Sequence, residues 1–287
     1  GIAWAALFSL IPCQAHAVST SASSAILMDV DSGRVLYEQN ADAKMRIAST
    51  TKILTALVAI REGDLNDVVT VSREAAYTEG SSMYLKAGEQ LTLETLLYGL
   101  LLCSGNDAAV ALAIYCGGTV EGFAELMNDK AHNLGLTGTH FENPNGLDSP
   151  GHYSTAKDLG TLAAYAMENP IFYKTVSAKN VKVGDRYLTN HNKLLWRVAG
   201  ADGVKTGFTK AAGRILVSSA TRDGRRVIVV TIDDPSDWSD HAALMEEGFS
   251  RYAIQRVVNQ GDRVGTVEVV GGDAKICKEI RRQTIDQ

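Results

Sequence analysis

The sequence predicts an α+β domain in which an antiparallel sheet, built from strands at both ends of the chain, is flanked by a helical cluster. Three observations predict it: an alternating apolar–polar hairpin near the N-terminus, five helix-periodic stretches in the middle, and a second set of alternating runs late in the chain.

Residues 24–30 and 34–38 alternate around Asp31-Ser32-Gly33, which gives the hairpin. Apolar residues then recur at helical spacing over 49–61, 92–102, 107–115, 119–134 and 154–168. Several of these begin on Ser, Thr or Asp, which satisfy free N–H groups, and Gly117 and Gly135 read as stops. Strands return over 204–206, 214–220 and 226–232, with Asp223-Gly224 as a turn, so an antiparallel meander is expected to join the N-terminal hairpin in one sheet. A helix from about 239 to 252 closes this unit. In the run 233–241, Ser236 or Asp237 is expected to cap it.

The flanks differ in character. Residues 2–11 are mostly apolar and uncharged, and Ala15-His16-Ala17 follows as a small-x-small cleavage pattern. This reads as an N-terminally incomplete signal peptide over 1–17, too short to span a bilayer, with export and a mature N-terminus at Val18 as the expectation. Residues 18–253 form the main domain, and 254–287, punctuated by Gly261, Gly265 and Gly271, read as the start of a small β-rich domain.

Among 287 residues, 45% are apolar and 21% charged, and the net charge of −5 shows no strong clustering. That excludes a nucleic-acid groove or a basic membrane-binding face, and points to a small-molecule or polymer substrate. After removal of the signal, Cys103, Cys116 and Cys277 are odd in number and lack metal-site spacing, so neither a disulfide framework nor a metal is expected.

In the segment IASTTKILTALVAI, residues 47–60, Lys52 is the only charge. An ammonium in the first turn of an apolar helix is opposed by desolvation and by the positive end of the helix dipole, and both lower its pKa. A lysine so lowered serves as a general base. Ser49, three residues earlier, lies on the same helical face within reach of the amine, the arrangement of an activated nucleophile. An isolated Ser-x-x-Lys is more often a capping serine with a snorkelling lysine. Here it is accompanied by Ser104-Gly105-Asn106 after an apolar helix and by Lys205-Thr206-Gly207 on a strand.

Ser-x-x-Lys, Ser-Asp-Asn and Lys-Thr-Gly, in this order, form the signature of the penicillin-binding proteins and class A β-lactamases, and the middle element here is Ser-Gly-Asn in place of Ser-Asp-Asn. With RIASTTKILTAL, LLCSGNDAAVALA, FENPNGLDSPGHYSTAKDL and DGVKTGFTKAAGRILVSSATRDGRR, the chain resembles the serine-type D-alanyl-D-alanine carboxypeptidases, the low-molecular-mass penicillin-binding proteins of peptidase family S11. The resemblance covers roughly residues 24–252 and implies a β-lactamase/transpeptidase-like catalytic domain. It implies Ser49 as nucleophile, Lys52 as base, Ser104 as proton shuttle to the leaving amine, and Asn106 as the residue orienting lysine and substrate amide. It implies Lys205, Thr206 and Gly207 as substrate-binding residues, and an oxyanion hole from the backbone N–H groups of Ser49 and Phe208. Some family members carry an arginine in the region that is acidic here over 233–241, so carboxylate binding is expected to rest on Thr206 and Lys205.

The activity so implied is removal of the terminal D-alanine from peptidoglycan stem peptides ending in D-Ala-D-Ala, outside the cytoplasm, in the cell wall or at the outer face of the membrane. β-Lactams would be covalent inhibitors, and no cofactor, metal or nucleic acid takes part. Membrane association stays an alternative, with no anchor read in this chain. Two other functions compete. A β-lactamase needs a deacylating glutamate in Glu-x-x-Leu-Asn, where this sequence has Glu142-Asn143-Pro144-Asn145-Gly146. A noncatalytic cell-wall-binding protein would have no chemical need for Lys52. His132, His140, His152 and His191 lack ligand-like spacing and are expected to be structural.

Overall fold

Residues 18–252 are described by the computed structural model; the predicted signal peptide, the predicted β-rich segment over 254–287 and Cys277 lie outside the described residues. The chain opens with β1 (Ser24–Asp29) and β2 (Val35–Gln39), then a 3₁₀ turn (Ala48–Thr51) leading directly into α1 (Lys52–Glu62). β3 (Val68–Thr70), α2 (Arg73–Ala76) and β4 (Gln90–Thr92) precede α3 (Leu93–Leu102), α4 (Asn106–Gly117) and α5 (Val120–Asn133). After α6 (Ala156–Glu168) and α7 (Pro170–Ser177) come β5 (Asn180–Val183), β6 (Arg186–Thr189) and α8 (Leu194–Arg197). The chain then forms β7 (Ala201–Thr209), β8 (Gly213–Arg222), β9 (Arg225–Ile232) and α9 (Asp237–Arg251).

The main sheet has the order β2-β1-β9-β8-β7, so the predicted union of hairpin and meander is present, with every neighbouring pair antiparallel. Its central strands β1, β8 and β9 are buried on both faces over most of their length. In β9, Ile228 and Val230 face the helical cluster, while Val227 and Val229 pack under Leu244 and Met245 of α9. The period of two in a strand thus yields three layers, helices–sheet–helix. β7 is an edge strand, and its outer edge faces the 3₁₀ turn.

α1 is buried around its whole circumference from Lys52 to Ala59, which makes it the central helix of the cluster. Thr92 and Thr119 cap α3 and α5 by accepting N–H bonds, as the sequence suggested, and Thr155, one residue beyond the expected start at Ser154, caps α6. Two expectations are corrected. α4 runs through Gly117, and the left-handed residue that ends it is Gly118, at φ +75°. Ser236 stands at the start of α9 without a side-chain capping bond, and the Asp237 carboxylate instead pairs with Arg214.

His241 is fully buried, with Nδ1 on Ser218 Oγ and Nε2 on Thr231 Oγ1, so it ties α9 to β8 and β9. Burial lowers its pKa to about 3 and keeps it neutral. Cys103 and Cys116 are free thiols, both half-buried.

Candidate active site

The nucleophile motif differs locally from the sequence expectation. The α-helix begins at Lys52, and Ser49 sits in the 3₁₀ turn before it. Ala48 adopts φ +44° and Thr50 N–H bonds to Ile47 O at 3.1 Å, which tightens the entry to three residues per turn. In a 3₁₀ turn residues i and i+3 eclipse, so Ser49 and Lys52 stack directly. Gly146 makes this turn possible: it has φ +87°, and a Cβ there would overlap Ala48 O.

Lys52 is fully buried, and its Nζ is held by three oxygens: Ser49 Oγ at 2.8 Å, Asn106 Oδ1 at 2.7 Å and Asn145 O at 2.6 Å. Desolvation first, and the charge of Lys205 second, hold its pKa well below the ordinary lysine value, against an opposing pull from Asp107. The partners then fix where its lone pair points. Both carbonyl oxygens only accept, so a neutral amine gives its two hydrogens to them and turns its lone pair to Ser49 Oγ. The geometry therefore selects proton transfer from serine to lysine.

Asn106 is positioned from both sides. Its Nδ2 donates to Glu79 O at 2.8 Å and its backbone N–H to Ser81 O at 2.6 Å. Asp107, fully buried, accepts from Ser82 Oγ and from the N–H groups of Met83, Leu85 and Ala108, locking the 81–85 loop onto the start of α4. Ser104, between α3 and α4, is nearly buried and has φ +59°. Such a conformation in a non-glycine residue is costly and tends to mark functional sites. Cys103 beside it is a protonated bystander, its thiol pushed up by burial.

Lys205, on β7, is also buried and donates to Thr206 O at 2.9 Å; burial lowers its pKa to about 7. A Cβ on Gly207 would stand 3.2 Å from Ile47 O and 3.3 Å from the nitrogens of Ser49 and Thr50, a tight contact that would press the strand edge against the nucleophile turn, and glycine avoids it. Ser49, Ser104, Thr206, Gly207 and Phe208 line one cleft of about 330 Å³. All the predicted site residues thus converge here, Lys52, Asn106 and Lys205 behind the wall and the others on it.

Three participants escape sequence reasoning. Asn145 acts through its backbone carbonyl, which carries no side-chain signal. Asp107 reads as an ordinary acidic first-turn residue. Arg214, at the start of β8, reads as a strand-end cation, yet it lines the same cleft beside Asp237 and Trp238. Of the four histidines set aside, His152 is structural as expected. It accepts from Glu142 N–H through Nδ1, leaving Nε2–H for Thr51 Oγ1 at 2.7 Å, and burial lowers its pKa to about 4. His191 instead lines the cleft. Glu142 is not aimed at the nucleophile: its carboxylate binds Ser149 Oγ and Gly151 N–H within its own loop.

A family model described as D-alanyl-D-alanine carboxypeptidase matches residues 12–236. Among curated proteins, the chain is 34% identical over 270 residues to D-alanyl-D-alanine carboxypeptidase DacF of Bacillus subtilis strain 168, covering 90% of this chain and 69% of that protein. It is 41% identical over 250 residues to DacC of Escherichia coli K12, covering 82% and 62%. Among solved structures, a serine-to-alanine mutant of Streptomyces K15 DD-transpeptidase superposes with a TM-score of 0.78 at 34% identity, over 82% of this chain and all of that one. Penicillin binding protein 6B from Escherichia coli gives 0.81 at 34% identity, over 88% and 85%.

Proposed function

The chain belongs to the D-alanyl-D-alanine carboxypeptidase family, peptidase family S11, and from that premise we propose that it removes the terminal D-alanine of peptidoglycan stem peptides through an acyl-enzyme on Ser49. The observation that carries the reading is the environment of Lys52: a desolvated amine whose two hydrogens are bound by Asn106 and Asn145 presents its lone pair to the serine hydroxyl.

The steps follow from the groups present. Ser49 Oγ attacks the carbonyl carbon of the penultimate D-alanine as its proton passes to Lys52 Nζ. Charge developing on the carbonyl oxygen is met by the N–H groups of Ser49 and Phe208, a backbone hole that demands little of side chains. Ser104 hands a proton to the departing nitrogen and takes one from the Lys52 ammonium, so D-alanine leaves as an amine and not as an amide anion, and Lys52 is neutral again. Water then adds to the ester, giving a proton to Lys52, which passes it to Ser49 Oγ as the shortened peptide leaves. Lys205 and Thr206 bind the substrate, and Gly207 lets it lie along the β7 edge. Residues 18–253 carry this apparatus, working outside the cytoplasm where peptidoglycan lies, after export directed by residues 1–17. β-Lactams acylate the same serine.

A second reading, transpeptidation, is favoured by the likeness to a structure named as a DD-transpeptidase. The two part at the acceptor. Incubated with an acyl-D-Ala-D-Ala peptide and a D-amino-acid acceptor at modest concentration, the protein is expected to release D-alanine with hydrolysis product in excess. Exchange product in clear excess would reassign it as a transpeptidase. Turnover of penicillin within seconds would instead favour a β-lactamase, for which the outward-turned Glu142 supplies no base.

A further inference from the structure

The proposed reaction needs little space on the leaving side of the cleft, because D-alanine carries a single carbon beyond its backbone. The structure provides more. Arg214, Asp237 and Trp238 line the cleft together with Thr206, and the same three residues line a second cavity of about 500 Å³. The two cavities therefore meet along one wall. That wall is fixed: Arg214 Nη2 donates to both oxygens of Asp237, at 2.9 and 2.8 Å, and the Trp238 ring centroid lies 5.8 Å from the guanidinium carbon. It is also unroofed, since the Arg214 side chain is 43% exposed. A side chain longer than a methyl group can pass over it.

The second cavity has two chemically distinct parts. Leu194 of α8, Val198 just after it and Trp238 of α9 belong to the apolar cluster between the sheet and α9, so the cavity floor is apolar and continuous with the core. Such a floor gains from covering methylene groups. The charged lining consists of Arg197, Arg214 and Asp237. The last two offset each other, which leaves the charge of Arg197 uncompensated. Arg197 ends α8 and is exposed, and among the described residues its side chain makes no hydrogen bond or ion pair. An apolar floor with one convergent cation suits an aliphatic chain that ends in an anion.

We propose that this cavity is a leaving-residue pocket, which takes the side chain of a C-terminal D-amino acid larger than alanine: an aliphatic chain ending in a side-chain carboxylate, its methylenes on Leu194, Val198 and Trp238 and its charge on Arg197. This rests on the carboxypeptidase reading and widens its substrate class beyond D-Ala-D-Ala. The bonds made and broken stay those of the proposed reaction. Ser49 takes the acyl group, the departing amine takes its proton from Ser104, and water frees the acid. Only the leaving residue changes.

The test measures kcat/KM on three acyl-D-Ala-D-X peptides, X being D-alanine, D-2-aminoheptanedioic acid or the side-chain amide of that acid, in the parent protein, Ser239→Trp and Arg197→Gln. Ser239, exposed on the first turn of α9, lines the second cavity and not the cleft, so tryptophan there fills the pocket alone. The parent is expected to cut the long acidic peptide at least as well as D-Ala-D-Ala. Ser239→Trp should lose about 10- to 100-fold on both long peptides, because an expelled side chain misplaces the scissile bond, and stay near parent on D-Ala-D-Ala. Arg197→Gln should lose about two- to fivefold, the worth of an exposed ion pair, on the acid alone. A parent that cuts D-Ala-D-Ala but is more than about tenfold slower on the acid would overturn the pocket. So would a Ser239→Trp variant unchanged on the long peptides, or slowed equally on all three while its circular dichroism matches the parent's. Arg197→Gln decides independently of that variant: an unchanged acid-to-amide ratio would overturn the assignment of Arg197. A parent inactive on all three peptides would contradict the carboxypeptidase reading itself, and this proposal with it.

Discussion

Lys52→Met lowers the rate of serine acylation by about 10³- to 10⁴-fold, near the upper end of what a positioned general base contributes, while the protein stays folded. The two halves of that expectation have separate causes. Ser49 loses the only amine whose lone pair its hydroxyl meets, and at neutral pH an unassisted hydroxyl is a poor nucleophile. Folding is spared because a fully buried cation opposes it through desolvation, and methionine fills the same volume without that cost. Against this, Asn106 Oδ1 and Asn145 O each lose a donor, at about 1–3 kcal/mol apiece where no water replaces it. The balance is a small change either way. Stopped-flow acylation by a chromogenic β-lactam, read beside near-ultraviolet circular dichroism, measures both. Loss of the folded signal would make Lys52 a structural residue; an unchanged rate would remove it from the chemistry.

Asn106→Asp should abolish activity at neutral pH and return part of it at alkaline pH. The substitution keeps an acceptor for Lys52 Nζ and changes its charge. An anion in direct contact favours the ammonium, so the Lys52 pKa, held low by burial and by Lys205, moves back up. In the ammonium form all three hydrogens point at acceptors and no lone pair remains for Ser49. The fraction of competent enzyme then falls about tenfold for each unit of upward shift. The acid limb of the kcat/KM profile should move to higher pH by that shift. Loss at every pH would mean that the lost Nδ2 bond to Glu79 O, and not the charge, was decisive.

What the sequence can and cannot convey follows the reach of each interaction. The outer hairpin, the meander and the central helix are legible because local alternation and local periodicity set them. The Ser49–Lys52 pair is legible for the same reason: three residues separate the partners, and a lone charge in an apolar run is a strong local contradiction. Asn145 acts on Lys52 across 93 residues and through a backbone oxygen, so no residue type announces it. Arg214 acquires its meaning only when α9 brings Asp237 against it and the register sets it opposite Phe208. The 3₁₀ entry to α1 is unreadable because it depends on Gly146, from a distant loop, packing under Ala48. By contrast the β5–β6 hairpin carries a readable signal that the sequence expectations omit, alternation around Gly184-Asp185 with Gly184 at φ +56°.

The central claim, that Ser49 is acylated by substrates and inhibitors that mimic the D-Ala-D-Ala bond, is tested most directly by intact-protein mass spectrometry after benzylpenicillin treatment. A strained β-lactam amide traps the same nucleophile and leaves an acyl group that blocks incoming water. The account predicts one long-lived penicilloyl adduct on the parent protein, mapping to the peptide that contains Ser49, and none on Ser49→Ala. An adduct that survives Ser49→Ala, or a parent that takes up none, would contradict it.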